Sequence, residues 1–147
     1  MALSKLDSLY MAVVTEHSRH PHHRGLLPGA RATTKHNPSC GDVLSLSLEL
    51  TEGRISAIGF DGDGCSISLA SASMMTDCVL GKPLEEGLAM AELFSDMVQG
   101  KDDSRQKDLG DAAFLAGVSK FPQRIKCATL AWNALKDALA EGESDGV

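Results

Sequence analysis

Residues 43–50 carry the pattern that most restricts the fold of this chain. They read Val-Leu-Ser-Leu-Ser-Leu-Glu-Leu, so leucine occupies every second position. A period of two is typical of a strand with one buried face. Glu52 and Gly53 then predict a turn, and residues 54–60 predict the returning strand. Paired threonines in residues 32–36 indicate a third strand beside this hairpin.

Helices are expected before and after the strands in the sequence. Apolar residues recur at helical spacing in several segments. The predicted helices cover residues 4–17, 65–80, 84–98, 109–118 and a last helix that begins at Pro122. Small side chains dominate residues 66–73, so that helix is expected to pack closely against a neighbour. A three-stranded antiparallel sheet is stable where helices cover one face. The sequence therefore predicts an α+β fold, a small three-stranded antiparallel sheet covered by helices.

Three segments are predicted to lack regular structure. Residues 19–29 are rich in proline and glycine, and residues 61–64 are rich in glycine. Residues 101–108 are a charged run. With 147 residues and no internal repeat, the chain is expected to form one domain over residues 1–147. A flexible C-terminal tail is expected from about residue 141.

Charge and hydropathy restrict the partners and the compartment. The formal net charge is −6, which disfavours binding to nucleic acid or to anionic lipid. No apolar run approaches the ~20 residues that span a bilayer, and residues 1–10 lack the apolar core of a signal peptide. We therefore expect a cytoplasmic protein. In a reducing compartment its four cysteines are better interpreted as ligands or nucleophiles than as disulfides.

Three cysteines lie at predicted structural junctions. Cys40 precedes a strand, Cys65 opens a helix, and Cys127 lies near the start of the last helix. A helix N-terminus favours the thiolate, which is the form that binds metal. Asp42 follows Cys40 by two residues, so both side chains point the same way in an extended segment. Together these residues offer three sulfurs and one oxygen to a single ion.

Spacing alone leaves the nature of this site open. Zinc accepts four such ligands, and iron–sulfur clusters use the same thiolates. Scattered cysteines in a small domain are also often core residues. Glycines beside Cys40 and before Cys65 favour a site, because they let the backbone turn closely around an ion. His36 is an alternative ligand in place of Asp42.

Three segments around the cysteines resemble the IscU/SufU family of iron–sulfur cluster assembly proteins. They are Pro-Ser-Cys-Gly-Asp at 38–42, Phe-Asp-Gly-Asp-Gly-Cys-Ser-Ile-Ser at 60–68 and Arg-Ile-Lys-Cys-Ala-Thr-Leu-Ala-Trp at 124–132. The family fold, a small sheet covered by helices, agrees with the pattern described above. The chain looks like the SufU branch, because Lys126 replaces the histidine that precedes the third cysteine in scaffold-type IscU proteins. Residues 120–124 likewise replace their Leu-Pro-Pro-Val-Lys segment.

The resemblance implies a site and a function. Cys40, Asp42, Cys65 and Cys127 would bind zinc, and Cys40 would also accept sulfur. The protein would be a zinc-dependent sulfur carrier, resembling a sulfurtransferase, that takes persulfide sulfur from a cysteine desulfurase of the SufS type and serves downstream cluster-assembly proteins. The alternatives are an IscU-type scaffold that assembles and transfers a [2Fe–2S] cluster, and a domain whose zinc is only structural.

Other reactive residues have simpler interpretations. Cys78 is expected to be a buried core thiol, and the methionines of the predicted helices are expected to fill the core. Adjacent histidines on an irregular loop are more often solvated than bound to a metal. We therefore expect this of His20, His22 and His23. Arg124 is either a group that stabilises a sulfur anion or an exposed structural residue.

Overall fold

The computed structural model describes residues 5–37, 41–101 and 103–145, with side chains described from residue 11 to residue 140. The elements are α1 (Lys5–Arg19), β1 (Ala32–Asn37), β2 (Asp42–Thr51), β3 (Arg54–Asp63), α2 (Ser66–Val79), α3 (Leu84–Val98), a 3-10 segment (Ser104–Lys120) and α4 (Pro122–Asp145). None of the helices in these ranges is both long enough and apolar enough to cross a bilayer.

The three strands form one antiparallel sheet in the order β1-β2-β3. Leu44 and Leu46 of β2 are 1% and 2% exposed, which confirms the buried face predicted from the leucine alternation. Helix α4 contacts both β1 and β2, so it covers this face of the sheet. The predicted α+β architecture is confirmed.

Strand β3 extends further than the sequence predicts. The prediction that residues 61–64 form neither strand nor helix is wrong for 61–63, because β3 continues to Asp63 and pairs with Val43. Gly62 lies within the paired region at φ +146°, and a Cβ at this position would lie 2.2 Å from the Val43 carbonyl oxygen. Glycine here permits a close approach between two strands rather than ending one of them.

The charged segment before the last helix is also more ordered than predicted. Residues 104–108, predicted as part of a solvated loop, belong to the 3-10 segment, which kinks at Gly110. The segment buries four apolar side chains, Leu109, Ala112, Leu115 and Val118. Their contacts with the core explain why a run with a polar beginning is held in place.

Helices α2 and α4 pack closely through small side chains, as the composition of α2 predicts. The Ser71 hydroxyl donates to the Ala128 carbonyl oxygen at 2.6 Å and accepts from the Trp132 indole N–H at 3.0 Å. The Trp132 ring stacks on Phe94 of α3 with centroids 4.4 Å apart. These contacts fix the start of α4 beside α2. Helix α4 continues to Asp145, past the residue where the flexible tail is expected, and the tail stays a prediction.

Candidate metal centre

Strand pairing brings Asp42 to the beginning of α2. Asp42 is the first residue of β2, and its neighbour Val43 pairs with Asp63 at the end of β3. The chain then reaches Cys65, the N-cap residue of α2, in two residues. A Cβ at Gly64 would lie 3.4 Å from Asp42 Cγ, which shows how closely the carboxylate approaches this turn.

Helix α4 supplies the third member of the site. Ligand atoms of Asp42, Cys65 and Cys127 all lie within 4.8 Å of one another. Asp42 is 5% exposed and Cys127 is 3% exposed, whereas Cys65 is partly exposed. The structure thus joins residues from β2, α2 and α4 into one group of two thiols and one carboxylate that is open to solvent at Cys65.

Ser68, which the sequence analysis does not single out, connects two members of the group. Its hydroxyl is fully buried, donates to Asp42 Oδ2 at 2.5 Å and lies 3.5 Å from Cys65 Sγ. Residues three apart in a helix lie on the same face, so the position of Ser68 after the helix-capping Cys65 is the signal that could have identified it.

The surroundings of Cys65 favour its thiolate form. Burial raises the pKa of this thiol, but the opposing hydrogen bonds outweigh that effect and leave the pKa below its ordinary value. These hydrogen bonds come from the side chain and backbone of Ser68, from Cys127 and from the backbone of Ile67. Cys65 is therefore easier to deprotonate than an ordinary cysteine, as a metal ligand must be.

The remaining residues of the predicted site differ in their placement. Cys40 lies outside the described residues, so its roles as ligand and sulfur acceptor stay predictions. His36, the alternative to Asp42, is exposed and is not part of the group formed by Asp42 and the two cysteines. Arg124 is exposed and lines a cleft of about 470 Å³ together with Ser66 and Ile67, the first residues of α2.

Two other predictions have different outcomes. Cys78 is buried in the core, and burial raises its pKa to about 11, as expected for an inert thiol. His22 and His23 are exposed, as predicted, but they are not simply solvated. His22 Nδ1 lies 2.5 Å from Asp77 Oδ2, and His23 Nδ1 lies 2.9 Å from Thr76 Oγ1.

The donor set fits a thiophilic divalent ion. Thiolate sulfur and carboxylate oxygen are both zinc ligands, and thiolates also hold iron–sulfur clusters. Three close donors leave a fourth tetrahedral position for another ligand. The described residues therefore provide a partial coordination shell rather than a closed structural site.

Comparison with known proteins identifies the family. The model of the NifU-like N terminal domain matches residues 9–128, which include all four residues of the predicted site. The chain belongs to this family.

Its relatives include proteins with two different names. The chain is 61% identical over 139 residues to the "Iron-sulfur cluster assembly scaffold protein IscU" of Streptococcus pyogenes serotype M1, covering 95% of this chain and 87% of the relative. It is 46% identical over 140 residues to the "Zinc-dependent sulfurtransferase SufU" of Bacillus subtilis, covering 95% of each.

A solved structure shares the fold of this chain. The putative iron–sulfur cluster assembly scaffold protein for the SUF system from Fervidobacterium islandicum has a TM-score of 0.82 and 30% identity. The match covers 86% of this chain and 93% of that one. The resemblance to the IscU/SufU family is therefore confirmed.

Proposed function

We propose that this protein acts in iron–sulfur cluster assembly as a zinc-dependent sulfur carrier that accepts persulfide sulfur from a cysteine desulfurase of the SufS type. The observation that carries the proposal is the convergence of Asp42, Cys65 and Cys127, whose ligand atoms lie within 4.8 Å of one another. Relatives that this chain covers over 87% and 95% of their length are named for cluster assembly and for zinc-dependent sulfur transfer, which supports the same function.

Cys40 is the proposed fourth ligand and the sulfur acceptor. Position 40 precedes Asp42 by two residues, a span of at most about 7 Å along the chain. Gly41 adopts φ +76° and donates its N–H to the Asn37 carbonyl oxygen at 2.9 Å, so this glycine does not have the extended conformation expected from the sequence. The short separation from Asp42 along the chain supports the assignment of Cys40 to the same site. Bound zinc would hold the cysteines as thiolates.

The proposed transfer is an exchange of one sulfur–sulfur bond for another. The Cys40 thiolate attacks the terminal sulfur of the persulfide on the desulfurase. A new bond forms between Cys40 and that sulfur, while the bond to the desulfurase cysteine breaks and releases that cysteine as a thiolate. Electrons and atoms balance without any external oxidant or reductant. The persulfide on Cys40 then serves downstream cluster-assembly proteins.

A scaffold for a [2Fe–2S] cluster is the second candidate function. It is supported by the 61% identity to a protein named as an iron–sulfur cluster assembly scaffold and by the two thiols that lie close together. Lys126 favours the sulfur carrier, because scaffold-type IscU proteins, which this chain resembles, have a histidine directly before the third cysteine. A purely structural zinc is disfavoured, because the site includes a carboxylate and is partly open.

The decisive experiment combines metal analysis with desulfurase activity. We expect about one zinc per chain in the purified protein and strong stimulation of a SufS-type desulfurase. Cys40→Ala is expected to abolish sulfur acceptance and leave the circular dichroism spectrum unchanged, whereas Cys78→Ala serves as the matched control and retains full acceptance. Asp42→Ala is expected to lower zinc content or to change its exchange rate.

Each alternative predicts a different result. An iron-containing brown protein that passes its cluster to an apoprotein would support the scaffold. Zinc without any effect on a desulfurase would support a structural ion. Persulfide uptake by Cys40→Ala would refute the assignment of the acceptor, and unchanged zinc content and exchange in Asp42→Ala would remove the carboxylate from the site.

A further inference from the structure

A second group of metal-capable side chains lies where α1, the following loop and α2 meet. Ligand atoms of His17, His22 and Asp77 all lie within 4.8 Å of one another. The two imidazole rings have centroids 4.6 Å apart. Asp77 follows Cys65 by 12 residues along one helix, a distance of about 18 Å at 1.5 Å per residue. This group is therefore separate from the cysteine site.

His17 has the surroundings of a metal-ligating histidine. It is 3% exposed, and its Nε2 lies 2.9 Å from Asp111 Oδ2 in the 3-10 segment. Histidines that bind metals typically donate their other ring N–H to a carboxylate, which fixes the ring and its tautomer. With the proton on Nε2, the lone pair is on Nδ1, which lies 2.7 Å from the Ser73 hydroxyl.

The loop that carries His22 is held on both sides. The His22 backbone N–H donates to Ser73 Oγ at 2.7 Å. On the other side, the Phe60 N–H donates to the His23 carbonyl oxygen at 3.1 Å, and the Gly25 N–H donates to the Phe60 carbonyl oxygen at 2.6 Å. The loop is thus attached to α2 and to β3, so little ordering is required before an ion binds.

Exposure differs across the group in a way that suits ion entry. The side chains of His22 and Asp77 are 46% and 39% exposed, whereas His17 is buried. The group therefore combines one buried nitrogen donor with two donors that solvent can reach. His22 Nδ1 and Asp77 Oδ2 are already 2.5 Å apart, so a single ion can contact both donors.

We propose that His17, His22 and Asp77 form a second site, which binds a divalent first-row metal ion such as zinc. Two imidazoles and one carboxylate with open positions are a donor set used for zinc and for ferrous iron. Binding exchanges the His17–Ser73 and His22–Asp77 hydrogen bonds for bonds to the ion. The affinity is therefore lower than at the cysteine site. This proposal does not depend on the proposed function.

The test is a zinc titration by calorimetry on protein whose cysteine site is already loaded. We expect a second, weaker binding event in the wild-type protein. His22→Ala and Asp77→Asn are expected to weaken it by about tenfold or more, and Asp111→Asn by about 10- to 100-fold through the orientation of His17. His20→Ala is the matched control, because His20 is exposed on the same loop and lies outside the group. His17 itself is left intact because it is buried.

A cobalt(II) titration identifies the donors. Cobalt at this site is expected to show ligand-field bands without the sulfur-to-metal charge transfer that cysteine ligands produce. The proposal is overturned if no second event occurs, if the event survives both His22→Ala and Asp77→Asn, if His20→Ala removes it, or if cobalt shows thiolate bands. The test measures only the second zinc-binding event. Its result therefore does not depend on whether the cysteine site carries sulfur or a cluster.

Discussion

Ser68→Ala is the substitution that most directly tests how the cysteine site is built. The Ser68 hydroxyl is fully buried, donates to Asp42 Oδ2 at 2.5 Å and lies 3.5 Å from Cys65 Sγ. The substitution removes one oxygen atom and no carbon, so it creates almost no cavity. Its effect therefore reports the loss of the two polar contacts.

The expected magnitude follows from burial and charge. A hydrogen bond to a charged group contributes about 1.5–3 kcal/mol, and water cannot easily replace it because Asp42 is 5% exposed. We expect this loss in the free energy of unfolding of the metal-free protein. Loss of an orienting hydrogen bond to a metal ligand typically costs 10- to 100-fold in affinity, or about 1.4–2.8 kcal/mol. The pKa of Cys65 is expected to rise, because Ser68 is the largest of the contacts that lower it.

The assay needs a control that separates the site from the core. Ser47→Ala is suitable, because Ser47 is a fully buried serine of β2 whose hydroxyl accepts from the Leu27 N–H at 2.8 Å and contacts none of the proposed ligands. Urea unfolding of the metal-free proteins is expected to show destabilisation in both variants. Zinc competition with a chelator is expected to show weaker binding only in Ser68→Ala. Equal zinc affinity in the two variants would refute the proposed orienting role of Ser68.

Two further changes test the pH dependence and the sheet. Burial raises the pKa of Cys78 from 9.0 to about 11, so the folded protein prefers the protonated thiol; this stability is present below pH 9 and is lost as the pH rises towards 11. Urea titrations at several pH values should show less alkaline destabilisation in Cys78→Ala than in the wild type, and parallel curves would contradict the assignment. Gly62→Ala should lower the free energy of unfolding by more than about 1–3 kcal/mol, because the added Cβ would lie 2.2 Å from the Val43 carbonyl oxygen. Gly53→Ala, at φ +78° in open space, is the control, and an equal shift in the urea midpoint would contradict the clash.

The sequence predicts the bounds of an element best where residues that end a helix or strand lie beside it. The bounds of α3 are predicted correctly, because Gly81, Pro83 and Gly100 mark its surroundings. Strand β3 is predicted too short, because glycines that permit close pairing cannot be distinguished by sequence from glycines that form a turn. The beginning of the 3-10 segment, residues 104–108, is predicted as loop because its charge hides the apolar contacts that hold the rest of the segment.

The cysteine site shows the same limit at the level of single side chains. Cys65, Cys127 and Asp42 are identifiable because few other residue types bind metals, and they come together in the structure. For Ser68 the sequence offers only its position three residues after Cys65, because the composition of a helix rich in small residues predicts that its serines serve packing. The partnership of His17 with Asp111 spans 94 residues, and no local pattern reports a contact at that separation.

The origin of the donors in three distant parts of the chain has a consequence for folding. Residues 42, 65 and 127 belong to β2, α2 and α4, so an ion bound by all three would close loops of 23 and 62 residues, much as a covalent cross-link does. The last helix could not then leave the sheet while the ion remained in place. A bound ion would therefore hold the whole domain together. A protease would cut the metal-free protein sooner than the metal-bound protein.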